Sequence, residues 1–231
     1  MINLKPIIFL VLLTLLIPFP AQSKTPQEAK SALANLQIQY TEEAFLSCVT
    51  KGEIVSVNLF LDAGMNPDTR VRGDKTALML AAYGGYKDIV QALLAKGAAM
   101  ETRSKIQWTP LMYAAWKGDT ATVQALLDHG AIVTVKDNRG MTPLMGAAMK
   151  GYVSIAQILI ARGANVNAKS KLGQTALIHA SWEGHMDVVK VLLAHGVDVN
   201  AKDIDGKTAY NAAILSHNDD IAELLRKAGG K

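Results

Sequence analysis

A period of 33 residues constrains this chain more than any other feature. Thr76-Ala77-Leu78, Thr109-Pro110-Leu111, Thr142-Pro143-Leu144, Thr175-Ala176-Leu177 and Thr208-Ala209-Tyr210 recur at that interval. Five residues after each Thr lies Ala81, Ala114, Ala147, Ala180 or Ala213. Nine residues after it come Gly85, Gly118, Gly151 and Gly184, with His217 in the last copy. A second glycine keeps the same period at positions 64, 97, 130, 163, 196 and 229. Glu43-Ala44-Phe45 with Gly52 reads as a sixth, degenerate copy. A unit of this length is one supersecondary element that cannot bury its apolar face alone, so the copies must stack into an array.

Each unit reads as two short antiparallel helices and a protruding turn. Thr is a good N-cap because its hydroxyl accepts from an orphan backbone N–H, and Pro110 and Pro143 fit the first helical position, where no donor is missed. The first helix is thin, built on Ala81-Ala82, Ala114-Ala115 or Ala147-Ala148. The central glycine reverses the chain. The second helix carries the bulk, as in Ile89-Val90 with Leu93-Leu94, or Val188-Val189 with Leu192-Leu193, spaced to share one face. The later glycine suits a position past the helix end with positive φ.

This pattern resembles the ankyrin repeat, whose period and T-P-L-H-x-A core it shares. The resemblance implies an all-α solenoid of about six repeats with β-turn fingers: 38–70, 71–103, 104–136, 137–169, 170–202 and 203–231, in a domain from 41 to 231. One departure is consistent: the family's histidine is replaced by Met79, Met112, Met145, Ile178 or Asn211. That histidine ties neighbouring loops together, so looser polar stitching between turns is expected. The resemblance also implies a concave face that binds another protein, and a bacterial setting. A supporting factor for an exported enzyme, such as one in stress defence, is the alternative role.

The two ends read as caps. Thr25-Pro26-Gln27-Glu28 is a capping-box pattern opening a helix with Leu33 and Leu36, expected to lie over the first repeat; a linker over 24–40 is the alternative. In the last copy Arg226 stands where Leu193 stands before it, and Glu223 and Lys227 add polarity. Residues 1–23 read as an export signal: Lys5, an apolar stretch from Ile7 to Ile17, breaks at Pro18 and Pro20, then Ala21-Gln22-Ser23. The stretch is short for a membrane span, which needs about 20 apolar residues. Cleavage after Ser23 and a periplasmic or secreted chain are expected, with no stable membrane anchor and a monomer favoured; an uncleaved anchor is the alternative.

Charge and cysteine content narrow the function classes. The chain holds 24 Lys and Arg against 20 Asp and Glu, and removing residues 1–23 takes away only Lys5. No basic block appears, so nucleic acid is not an expected partner. Cys48 is the single cysteine and falls in the small-residue slot of Ala81, so a structural role outweighs a reactive one. His129 and His195 share one repeat position at a helix C-terminus, while His179 and His185 lack the spacing of helical zinc ligands. No metal, cofactor or catalytic constellation is expected.

The candidate binding residues follow from the register. Two positions just after the paired alanines hold Tyr83, Trp116, Met149 and Trp182, and then Gly84, Lys117, Lys150 and Glu183. These place an aromatic row, flanked by Lys117 and Lys150, across consecutive repeats. Trp108 falls in the turn before Thr109, and Arg139, Met141 and Lys105 are expected to line the turn side of the same groove. Such rings could simply cover the alanine helices. Large residues held in register favour binding, because aromatics and Met are enriched in interface cores.

Overall fold

A computed structural model describes residues 24–71 and 74–231. The export signal and its cleavage point lie outside the described residues. Thirteen helices follow one another among those described. The first is α1 (Pro26–Asn35), and six pairs follow it. The pairs are α2 (Glu42–Lys51) with α3 (Ile54–Asp62), α4 (Ala77–Gly84) with α5 (Lys87–Ala95), and α6 (Pro110–Lys117) with α7 (Thr120–Asp128). Then come α8 (Pro143–Lys150) with α9 (Val153–Ala161), α10 (Ala176–Trp182) with α11 (Met186–Ala194), and α12 (Ala209–Leu215) with α13 (Asp219–Lys227).

Local chemistry sets the helix ends. The hydroxyls of Thr76, Thr109, Thr142, Thr175 and Thr208 each accept the backbone N–H three residues on. The degenerate first copy departs from this register: its cap is Thr41, two residues before Glu43, so α2 starts early and runs to ten residues. Left-handed backbone closes the first helices, with φ of 75° at Gly85 and 92° at Gly118. His217 adopts the same conformation at 58° without being glycine.

First helices stack on first helices and second helices on second helices, giving two layers. Ala81, Ala82, Ala114, Ala115, Ala147 and Ala148 are wholly buried between neighbours. The second helices contribute Ile89, Val90 and Leu93, and the residues matching them in later repeats, to one core that runs from Ala29 to Leu225. The capping box of Thr25 and Glu28 forms, and α1 packs on α3 through Ala29 and Leu33. Leu36 does not share that face; it follows the last turn and is exposed. At the far end Glu223, Arg226 and Lys227 face outward from α13 while Ile221, Ala222 and Leu225 face in.

The expectation of looser polar stitching is corrected. Met79 and Met145 are buried where the family carries histidine, and the ties between repeats run through other positions. The residue after the central turn reaches back to a carbonyl at the end of the preceding first helix. Tyr86 donates to Thr50 O (3.3 Å), Tyr152 to Lys117 O (3.2 Å), His185 to Met149 O (3.1 Å) and Asn218 to Ser181 O (2.9 Å). Those carbonyls have no partner inside their own helix, so at four of the five junctions the later repeat completes the helix end of the one before it, while Asp119 at the remaining junction caps its own helix. A second ladder joins the fingers: Arg103, Lys136 and Lys169 each donate to the carbonyl 33 residues on.

Finger contacts also make two glycines unequal. Both Gly140 and Gly163 have positive φ, but a Cβ on Gly140 would lie 2.8 Å from Lys171 N, whereas nothing lies within 4 Å of one on Gly163. Gly163→Ala should cost about 1 kcal/mol from the left-handed backbone alone, and Gly140→Ala about 3 kcal/mol because two fingers must also separate. Urea unfolding of the two variants measures the difference, and equal midpoints would show that the fingers are not rigidly joined.

Candidate functional site

The first-helix layer and the fingers place the predicted residues on one face, in two groups. Tyr83 and Trp182 are 51% and 49% exposed. Trp116 and Met149 are half-buried, and Lys117 and Lys150 are exposed. The aromatic row is therefore not continuous. Trp182 joins none of the ring pairs among the described residues, and Met149, between it and Trp116, packs partly against the core.

The rings that do meet include one that the sequence pattern missed. Tyr113 takes Tyr83 edge-on at 6.1 Å and Trp108 at 5.1 Å, and Trp108 meets Trp116 at 5.5 Å. Edge-to-face pairs at such distances are favourable because the positive ring edge meets the negative face. Tyr113 is buried, and its hydroxyl has no hydrogen-bond partner. A signal for it existed: four residues after each repeat Thr the chain reads Leu80, Tyr113, Gly146, His179 and Ala212. That variability marks a position aimed at the concave face, not at the seam.

Gly146 leaves a gap in that line, and beside it lies a shallow slot of about 20 Å³. Trp108, Trp116, Met112 and Pro143 form its apolar walls, and Asp137 and Arg139 its polar side. Asp137 begins the fourth finger and is buried, held by four contacts. Its Oδ1 accepts the backbone N–H groups of Arg139 and Met141, each at 2.8 Å. Its Oδ2 accepts Trp108 Nε1 at 2.9 Å and faces Arg139 Nε at 3.6 Å. The carboxylate thus shapes its own finger and fixes the indole of the finger before it. The expectation for Met141 needs correction: it borders the slot but is only 9% exposed, because Asp137 pins its backbone inward. Arg139 borders the slot, whereas Lys105 is exposed and is not among its lining residues.

The remaining candidate groups have structural explanations. Cys48 is buried among apolar neighbours, and burial raises its thiol pKa to about 11, aided by Glu53. It is a packing group at neutral pH. His129 and His195 each place Nδ1 on the carbonyl four residues back, at 2.8 and 2.7 Å, so they cap helix ends by donating a hydrogen bond. Among the described residues no group of three or more His, Cys, Asp and Glu is placed to hold a metal ion. No helix described is long and apolar enough to cross a membrane.

His179 sits on the same line as Tyr113 and Gly146, buried, with Nε2 unpartnered. Burial, and to a lesser extent the Arg139 guanidinium, lower its pKa to about 4. The folded state therefore refuses a proton that the unfolded chain accepts near pH 6.5. Its contribution is fully present above about pH 6.5 and is lost as pH falls towards 4, by up to about 3 kcal/mol. His179→Leu, with the residue found at Leu80, should flatten the fall in urea midpoint across that window. An unchanged slope would place the proton-linked loss elsewhere.

A family model described as "Ankyrin repeats (3 copies)" matches residues 45–137, 100–170 and 144–231. No curated protein matches the chain in a sequence search. Those matches run through well over half of the chain, with the caps, seams and fingers described above along their length, and the chain belongs to the ankyrin-repeat family.

Proposed function

We propose that this protein is a non-catalytic module that binds another protein on its concave face, outside the cytoplasm. Ankyrin repeats are generally protein–protein interaction modules. The observation that carries the reading for this chain is the set of large side chains on one face. Tyr83 and Trp182 stand half-exposed there, in the repeats to either side of a slot walled by Trp108 and Trp116. Half-exposed aromatics flanking an open apolar slot gain by being covered, and such anchors dominate interface energies. The packing alternative explains Tyr113 and part of Trp116 but leaves Trp182 without a ring partner. The polar groups of the slot are bonded to the fingers, which supports a docking role over catalysis.

Affinity capture from the host's own extracytoplasmic extract tests the site. The wild type should retain a protein that a Tyr83→Ala/Trp182→Ala variant loses. Both residues are substantially exposed, so melting should shift by no more than a few degrees. Equal retention by the two proteins would remove the concave face from the site.

Export rests on the segment from Lys5 to Ser23. Intact mass of the protein isolated from its host should correspond to a chain starting at Lys24. A mass that includes Met1 to Ser23 would mean an uncleaved anchor or no export at all.

A further inference from the structure

Charge around the slot is segregated. Lys150 lies over the Trp116 ring at 4.4 Å, Lys75 over Tyr113 at 5.4 Å and Lys117 over Tyr83 at 5.8 Å. None of the three ammonium groups is in a salt bridge among the described residues. Asp137, the acid of the slot, is turned inward with its side chain 1% exposed, while the side chain of its partner Arg139 is 65% exposed. Around the slot the acid is thus absorbed by the fingers while Lys117, Lys150 and Arg139 are exposed; farther along the same row Glu183, beside Trp182, is an exposed acid.

The fold does not require this arrangement. A cation at the end of a first helix is favoured by the helix dipole, which accounts for a lysine at either place singly. The same position holds Lys51, beside Thr50, and Gly84, Glu183 and Ser216 in the other repeats, and the helices before Glu183 and Ser216 are one residue shorter. Lys117 and Lys150 coincide with the aromatic cluster, each lying over one of its rings. At the centre of that stretch Gly146 has no side chain. A Cβ there would meet only Trp116 Cε3, at an ordinary 3.7 Å, so a larger residue would fit the backbone and fill the slot.

We propose that the docking face takes an acidic, extended protein segment that places its carboxylates on Lys75, Lys117, Lys150 and Arg139 and one apolar side chain in the slot beside Gly146. The proposal rests on the protein-binding reading and names the chemistry of the partner. Lys117 and Lys150 lie over rings that solvent reaches, Tyr83 exposed and Trp116 half-buried, so each is weakly held and can turn to a carboxylate. Complementary charge of this kind raises association rate and selects against basic partners.

Fluorescence anisotropy with labelled synthetic peptides tests it on the purified protein. One peptide is rich in Glu and Asp around a single Phe, a second has Lys in place of every acid, and a third has Ser in place of the Phe. The first should bind, the other two about tenfold more weakly or worse, and affinity should fall as salt rises and screens the lysines. Lys117→Glu/Lys150→Glu should lose about tenfold or more, and Lys117→Gln/Lys150→Gln, which avoids an acid at the helix end, should lose part of that. Gly146→Leu should weaken the Phe peptide with helical circular dichroism retained. Equal binding of the Lys peptide, or no effect of either lysine pair, overturns the proposal, as does an oligonucleotide that outcompetes the acidic peptide. If the natural partner is lost with Tyr83→Ala/Trp182→Ala but kept with Lys117→Glu/Lys150→Glu, protein binding stands and the acidic class falls. If neither pair affects it, both fall.

Discussion

Neighbouring first helices meet through pairs of wholly buried alanines, and the spacing of the whole array depends on that contact. A methyl group is the largest side chain that lets two helices approach so closely, and a bigger one would force the layer apart. Because the seam repeats every 33 residues, each repeat is translated onto the next with the same rotation. Fingers can then pair, as when Lys171 N donates to Arg139 O. Side chains after the central turn can also reach the carbonyls of the preceding helix. The alanine pair is lost towards both ends: Cys48-Val49 stands in its place in the first copy, Ser181 replaces one alanine in α10, and Ile214, next to Ala213, is exposed.

The same register turns sequence position into surface position. Residues that follow the paired alanines lie outside the seam, which is why Tyr83 and Trp182 are exposed and Trp116 and Met149 half-buried. What they do there depends on their neighbours. Trp116 gains Trp108 and Lys150, and Tyr83 gains Tyr113 and Lys117, but Trp182 stands in a part of the face where no other ring comes near. The fingers add rigidity at one place, because Asp137 binds both its own turn and the Trp108 indole of its neighbour. A site held by a buried carboxylate on adjacent repeats keeps its shape whether or not a partner is present, which limits the ordering cost of binding.

Polar stitching shows how a family pattern can mislead when one of its residues is missing. Replacement of the family histidine by Met79, Met112 and Met145 removes one set of ties. Tyr86, Tyr152, His185 and Asn218 make another set a few residues away, with four different side chains serving one geometric need. Tyrosine, histidine and asparagine share no obvious pattern, so their common role emerges only when the carbonyls they reach are seen. The buried line of Tyr113, Gly146 and His179 was hidden for the same reason: it is defined by what varies within the repeat.

The sequence by itself determined the repeat, its helices and caps, the buried alanines, and which positions face the groove, because each depends on local periodicity and on residues close along the chain. It also marked the terminal caps, though not that Leu36 would fall outside the packed face of α1. Only the tertiary structure decided which aromatic side chains touch, that Met141 is drawn inward, that a shallow slot lies beside Gly146, and that Asp137 is satisfied while the lysines are not. The contacts of Trp108 with Asp137 and of Tyr83 with Tyr113 join residues about 30 positions apart on adjacent repeats, and their distances are set by how the repeats stack, which no pattern within a single repeat records.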